Sequence, residues 1–63
     1  MSKKIQVATY SALIGGNPCH TCMAINVNGN LEARTCTRPR DARRSFEALC
    51  KRLGIPKTKY EFV

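Results

Sequence analysis

The residues of this sequence best suited to binding chemistry are arginines clustered where a helix is predicted to begin. The cluster consists of Arg38, Arg40, Arg43 and Arg44. A helix macrodipole favours anions at this end, and each cation placed there costs about 0.3–1 kcal/mol at low salt. Guanidinium groups bind phosphate or carboxylate through paired hydrogen bonds, and free helical N–H groups add donors. We therefore predict an anion site, with phosphate as the preferred ligand, at the start of this helix.

The charge of the whole chain supports this interpretation. Eleven Lys and Arg against four Asp and Glu give a net charge of +7, which favours polyanionic partners. No charged residue lies between Ile5 and Leu31, so the cations are concentrated in the second half of the chain. The alternative is a solvated basic face, in which Arg43–Glu47 and Glu47–Lys51 are ordinary ion pairs one helical turn apart. The residues predicted to contact nucleic acid or another anion are Arg34, Arg38, Arg40, Arg43, Arg44, Lys57 and Lys59.

The four cysteines leave three interpretations open. Cys19 and Cys22 have the spacing of a zinc knuckle, and Cys36 is predicted to lie opposite Cys22, so these three could hold zinc. A fourth ligand is hard to find, because Cys50 belongs to the apolar stripe of the helix and His20 lies inside the knuckle. The other interpretations are a Cys22–Cys36 disulfide and unligated side chains. Unligated cysteines and no cofactor are the preferred expectation.

The sequence contains no recognisable catalytic constellation. His20 is the only histidine, the acids are scattered, and no Gly-rich phosphate loop is followed by Lys and Ser or Thr. A redox role in the manner of thioredoxin would need the first Cys at the start of a helix, whereas Cys19 leads into a predicted strand. We therefore predict that the protein is not an enzyme.

Length and hydropathy restrict the architecture. Sixty-three residues are predicted to form one domain over residues 1–63, and a chain of this size buries only about 60% of its unfolded surface. The uncharged run from Ile5 to Leu31 is interrupted by Gly, Asn, Pro and His and cannot cross a bilayer. The first residues alternate polar and apolar types and lack the apolar region of a signal peptide. We expect a cytoplasmic protein with no membrane contact.

Alternating and helical patterns predict the elements that position these residues. A first strand is expected over residues 4–13, followed by a connection through residues 15–18 to about residue 20. Strands over 22–27 and 31–36 are expected to form a hairpin with the three-residue loop 28–30, placing Val27 opposite Leu31 and Cys22 opposite Cys36. A helix is expected over residues 39–53, ended by Gly54 and Pro56, and a short strand follows in the tail. These elements give an α+β domain in β-β-β-α-β order, with one amphipathic helix on one face of a mainly antiparallel sheet.

The same patterns divide the sheet into a core face and an open face. The face without a helix is predicted to carry mostly small and uncharged side chains. Its contact residues are predicted to be Tyr10 and Asn26. The residues predicted to point outward there are Gln6, Ala8, Tyr10, Ala12, Cys22, Ala24, Asn26, Glu32 and Arg34. The predicted core consists of Ile5, Val7, Leu13, Met23, Ile25, Val27, Leu31, Ala33, Phe46, Leu49, Cys50 and Leu53, with Tyr60 or Phe62 at one edge.

In element order the chain resembles the sheet-plus-helix modules of integrase arm-binding and AP2-type domains, whose sheets enter the DNA major groove. It also resembles the β-β-β-α half of a double-stranded-RNA-binding domain. Two functional hypotheses follow. The first is a small basic nucleic-acid-binding protein, DNA-binding or RNA-binding, that contacts phosphates through the helix-start arginines. The second is a protein-interaction module or inhibitor, such as a phage-encoded anti-CRISPR-like protein, that docks on an acidic or nucleic-acid-handling complex. A homodimer through the open sheet face is a further expectation.

Overall fold

The chain folds into a four-stranded, mostly antiparallel sheet with one helix packed against it. A computed structural model describes residues 4–25, 27 and 29–63. The strand order is β3-β2-β1-β4, and β4 runs parallel to β1. The predicted α+β class and β-β-β-α-β order are confirmed. The elements are β1 (Ile5–Ile14), β2 (Asn17–Ala24), β3 (Glu32–Thr35), α1 (Pro39–Arg52), a 3-10 turn (Lys57–Lys59) and β4 (Tyr60–Phe62).

The connection between β1 and β2 is a two-residue turn, so the longer connection predicted to about residue 20 is wrong. Gly15 and Gly16 both have positive φ, 60° and 81°, as a type I′ turn requires. The strands pair directly from Ile14 and Asn17 onward. Pro18 is tolerated within β2 because its nitrogen points away from β1, beyond the end of β3. The two strands therefore form a long hairpin whose far end extends past the rest of the sheet.

The predicted register between the second and third strands is also wrong. Cys22 lies opposite Ala33, three positions from the predicted Cys36. Because side chains alternate between the two faces of a strand, a shift by an odd number exchanges core and solvent residues. Cys22 is consequently buried in the core, and Ile25, predicted to be in the core, is 55% exposed. The predicted loop residue Asn28 lies outside the described residues.

The core lies between α1 and the sheet, at the end of the β1–β2 hairpin away from its turn. Its buried members are Val7, Cys22, Leu31, Ala42, Phe46, Cys50 and Tyr60, and its half-buried members are Ile5, Ala24, Ala33, Leu49, Ile55 and Phe62. Four further predicted core residues are instead exposed, namely Leu13, Met23, Val27 and Leu53. Leu13 lies at the far end of the hairpin, and Leu53 lies at the helix end. Met23 and Val27 are exposed because the register differs from the predicted one, which turns this alternation away from the helix.

The end of α1 follows the predicted capping pattern. Gly54 adopts φ 76°, a left-handed conformation that glycine reaches without steric cost. The Ile55 N–H donates to the Cys50 carbonyl at 2.8 Å, and the Gly54 N–H donates to the Lys51 carbonyl at 3.2 Å. These two bonds define a Schellman motif, so the predicted helix end is confirmed. Within the described residues, no helix combines the length and apolar character needed to span a bilayer.

Candidate anion-binding surface

One side of α1 carries a row of exposed cations. Residues three, four and seven positions apart lie on the same side of a helix, which groups Arg40, Arg43, Arg44 and Lys51. Arg44 and Lys51 line an open groove of about 480 Å³ together with Lys57 from the 3-10 turn. We call these five residues, Arg40, Arg43, Arg44, Lys51 and Lys57, the basic flank.

Arg43 is fixed in place by an aromatic contact. Its guanidinium carbon lies 5.6 Å from the centre of the Phe62 ring in β4. Such a cation–π contact at an exposed site contributes about 0.5–1 kcal/mol. The contact shows that the basic flank faces the β4 edge of the sheet and that one of its members is held by the fold.

The basic flank contains a single described ion pair. Lys57 Nζ lies 3.3 Å from Glu47 Oε2. The ion pairs considered from sequence, Arg43–Glu47 and Glu47–Lys51, are not among the ion pairs of the described residues. No described ion pair involves Arg40, Arg44 or Lys51, so their charges stay unpaired, although α1 also carries two acids, Asp41 and Glu47.

The sequence-predicted site residues do not all come together. Arg34 lies in β3 next to Thr21 of β2, on the sheet face opposite α1, and pairs with Glu32 at 3.9 Å. It is therefore separated from the basic flank by the thickness of the sheet. Lys59 is exposed at the end of the 3-10 turn, and Arg38 is exposed at the helix cap.

The backbone contributes less to this surface than predicted. The Arg38 carbonyl accepts hydrogen bonds from the N–H groups of Asp41 and Ala42, at 2.9 and 3.3 Å. Pro39 has no N–H to offer. Only the Arg40 N–H remains in the first turn, so the arginine side chains carry most of the capacity to bind an anion.

Lys51 is a member of the basic flank that the sequence analysis did not assign to the site. The available signal was its spacing of seven positions from Arg44, which places the two residues on the same side of a helix. Lys51 was instead assigned to an ion pair with Glu47. Glu47 pairs with Lys57 instead. Helical periodicity cannot predict this ion pair, because Lys57 lies beyond the end of α1.

The open face of the sheet differs in part from the prediction. Tyr10 lies there, 44% exposed, opposite Thr21 of β2. Cys22 and Ala24, predicted to point outward, lie on the helix side and pack in or against the core. Asn26, the other predicted contact residue, lies outside the described residues.

The cysteines adopt an arrangement that none of the three sequence interpretations contained. Cys19 forms a disulfide with Cys36, so the alternative of a Cys22–Cys36 bridge is wrong, and the expectation of unligated side chains is wrong for Cys19 and Cys36. The corrected register explains the partner, because it extends the β2–β3 ladder to Cys19 opposite Cys36. Cys22 points to the other face, where its Sγ lies 3.3 Å from Thr9 Oγ1. The three proposed zinc ligands are thus divided between two faces, and no cluster of three potential ligands occurs among the described residues.

Two buried ionisable groups beneath the basic flank have raised pKa values. Burial raises the pKa of the Cys50 thiol, and the negative charge of Glu47 adds to the effect. Burial also raises the pKa of the Tyr60 hydroxyl, with further contributions from Cys50 and Glu47 and a partial offset by Lys57. Both groups are therefore held in their neutral forms by the fold.

We expect the free energy of unfolding to fall as the pH rises into the alkaline range. A group whose pKa is raised by folding contributes stability that is complete below its unfolded pKa, about 8.5 for Cys and 10 for Tyr, and is lost as the pH rises through the folded value. Urea unfolding at about pH 8 and pH 10 measures this decline. Cys50→Ala should reduce it, and an equal decline in that variant would exclude Cys50 as a cause.

Comparison with known proteins identifies no relative: no family model, no curated protein and no solved structure matches this chain. The similarity of element order to integrase arm-binding, AP2-type and double-stranded-RNA-binding domains gains no support from these comparisons. Function must therefore be inferred from the charge and geometry of the chain itself.

Proposed function

We propose that this protein binds nucleic acid, without catalysing a reaction, by placing phosphates along the basic flank. The observation that carries the proposal is the row of four exposed cations on one side of α1, extended by Lys57 of the 3-10 turn, which pairs with Glu47. At 1.5 Å per residue, Arg40 and Lys51 lie about 16 Å apart along the axis. Phosphates of one duplex strand rise about 3.4 Å each along the axis while the strand winds round the duplex, so a straight row of this length can reach several of them.

The basic flank suits the phosphate backbone better than the bases. Lys and Arg provide charge and donors, and the long side chains of Arg40, Arg44 and Lys51 are free to follow a flexible partner. Phosphate contacts position a protein but carry no direct sequence information. We therefore infer binding with little sequence preference and a strong dependence on salt.

A protein partner is the second candidate, because one observation favours it. Leu13 is 77% exposed at the far end of the β1–β2 hairpin, and Ile14 beside it is 47% exposed. Leu13 and Ile14 expose apolar side chains on the two faces of this projecting end, where another protein could contact either face. An inhibitor of a nucleic-acid-handling complex would use this end for docking and the basic flank for electrostatic attraction.

A cytoplasmic location remains part of the proposal, and the disulfide makes it testable. Disulfides are rare in reducing cytosolic compartments. Alkylation of the protein directly in lysed cells, before any oxidation, should modify Cys19 and Cys36 if the native compartment is reducing. Recovery of the intact Cys19–Cys36 disulfide would place the protein in an oxidising compartment.

Removing two cations of the basic flank should weaken nucleic-acid binding. We expect Arg44→Gln/Lys51→Gln to lower affinity roughly tenfold or more and to flatten the slope of log K against log salt by about 1.8, that is, 0.9 per lost phosphate contact. Arg43 is left unchanged because it packs on Phe62. Fluorescence anisotropy with labelled random duplex and single strands, between about 50 and 200 mM salt, measures both quantities.

The matched control removes two cations elsewhere. Lys4→Gln/Arg34→Gln lowers the net charge by the same amount but leaves the basic flank intact, since Lys4 precedes β1 and Arg34 lies on the open face. We expect a clearly smaller loss of affinity. Equal losses in the two variants would reduce the basic flank to a general charge effect, and no retention at micromolar parent protein would overturn nucleic-acid binding altogether.

A further inference from the structure

The outer edge of β1 is unpaired over most of its length. β4 pairs only with Ile5–Val7, and its last bond runs from the Val63 N–H to the Val7 carbonyl at 2.9 Å. No described residue pairs with this edge beyond that point. The sheet therefore has a long open edge within β1, from residue 8 to residue 14.

Backbone alternation shows which groups face this edge. The Gln6 carbonyl accepts a hydrogen bond from the Ile25 N–H at 2.9 Å. The N–H and C=O groups of the even-numbered residues of β1 therefore point towards β2 and the residue that follows it. The N–H and C=O groups of Thr9, Ser11 and Leu13 point the other way. These three residues offer both donors and acceptors in the plane of the sheet, perpendicular to the strand.

The other sheet edges carry features that discourage pairing. β3 has the charged residues Glu32 and Arg34, and β4 has Glu61. The free edge of β2 contains Pro18, which lacks an N–H. Charges and proline are the devices by which natural sheets prevent contact between edges.

The β1 edge has none of these devices. Residues 8–14 read Ala-Thr-Tyr-Ser-Ala-Leu-Ile, with no charge, no proline and no glycine. Most of them are exposed, including Tyr10, Leu13 and Ile14. A long, uncharged edge of this kind is a template for pairing with another strand.

We propose that this edge pairs antiparallel with the same edge of a second copy of the chain, forming a two-fold symmetric dimer. Antiparallel self-pairing is isologous, so a single edge satisfies both copies. Each copy carries +7, so two copies repel one another, and the repulsion is weakest when they meet through an uncharged segment. The segment from Ile5 to Leu31 is the uncharged part of the chain. The open edge of β1 lies within this segment and has backbone groups without a partner strand among the described residues.

The available length defines one register. With Ser11 opposite Ser11 of the other copy, Thr9 lies opposite Leu13 and pairing stops before Val7, whose edge belongs to β4. About six backbone hydrogen bonds form in this register. A two-fold axis perpendicular to the sheet places both α1 helices on the same side of one continuous eight-stranded sheet.

A pair of lysine substitutions tests the proposal. Leu13→Lys places a charge on the pairing edge, whereas Leu53→Lys places the same charge on an exposed leucine at the helix end, 57% exposed in the parent. Analytical ultracentrifugation in about 0.5 M salt, which screens the repulsion between copies, should show the 7.0 kDa chain reaching twice that mass as concentration rises. Leu13→Lys should weaken dimerisation at least tenfold, and Leu53→Lys should leave it within twofold of the parent.

Hydrogen exchange keeps the test independent of folding. The amides of Thr9, Ser11 and Leu13 should exchange fast in dilute parent protein and slow down as the dimer forms, while those of Tyr10 and Ala12, bonded to β2, stay protected throughout. Nucleic-acid binding is a separate measurement, so failure of either proposal leaves the other standing. A parent that stays monomeric at all concentrations, or a dimer equally sensitive to both lysines, or one that protects other amides, would overturn the pairing.

Discussion

Phe46→Ala is expected to unfold the domain. Phe46 is fully buried, and its ring meets those of Tyr60 and Phe62 edge to face, with centroids 5.7 and 5.9 Å apart. Truncating a buried phenylalanine costs about 3–5 kcal/mol, because apolar contacts are lost and a cavity remains. A domain of this size rarely has more than about 3–5 kcal/mol in total.

Circular dichroism during heating and urea titration measures this effect. Leu53→Ala is the control, since its side chain lies largely in solvent at the end of the same helix and its loss should change stability by no more than about 0.5 kcal/mol. A cooperative transition of Phe46→Ala near the parent temperature would contradict the central position of this ring in the core.

Loss of the Cys19–Cys36 disulfide is the second large effect expected. The bond joins residues 17 positions apart and encloses the β2–β3 loop. A ring of about this size stabilises by roughly 3 kcal/mol in the chain-entropy description, because it restricts the unfolded chain. We expect Cys19→Ser/Cys36→Ser to lower the free energy of unfolding by roughly that amount.

Reducing agent separates the loss of the bond from the loss of the side chains. Dithiothreitol should destabilise the parent to about the level of the double variant and leave the double variant unchanged. Alkylation of the unfolded parent should modify two cysteines, Cys22 and Cys50, before reduction and all four afterwards. Identical stability of the parent with and without reductant would show that this bond contributes nothing to the fold.

The helix was predictable from sequence because its signals are local. The apolar stripe through Ala42, Phe46 and Cys50 specifies the buried side, and Gly54 specifies the end. The same applies to β4, where Tyr60 and Phe62 alternate with Glu61 and both face the core. In each case the pattern contains enough residues within one element to determine its orientation.

The prediction of the hairpin between the second and third strands was wrong because residues 22–27 contain two alternating patterns. The two patterns would turn opposite faces of the strand towards the core. Met23, Ile25 and Val27 form an apolar alternation, but Cys22 and Ala24 on the other side are the residues that face the helix. The Gly15–Gly16 turn decides between them, since it fixes how β2 lies against β1. Small side chains fit beneath the helix there, a packing requirement that hydropathy alone does not contain.

The candidate site was predictable in part. Arg40, Arg43 and Arg44 follow from the helix start, and Lys57 was assigned from its charge. Its place beside Glu47 of the helix depends on the chain's path after Gly54, which the sequence pattern does not contain. The separation of Arg34 depends on the register of β3. The net charge predicts an anionic partner, but only the tertiary structure shows how the cations are divided between two faces.

The position of β1 between β2 and β4 also has a kinetic consequence. Its pairing with β2 needs only a tight turn, and hairpins of this kind form in about 1–10 µs. Its pairing with β4 joins Ile5 to Tyr60 and must wait for nearly the whole described chain to be in place. Contacts between distant segments slow folding, because loop entropy is lost before they form. We therefore expect the hairpin to appear early and the aromatic rings of β4 to close on Phe46 last, in the step that limits the folding rate.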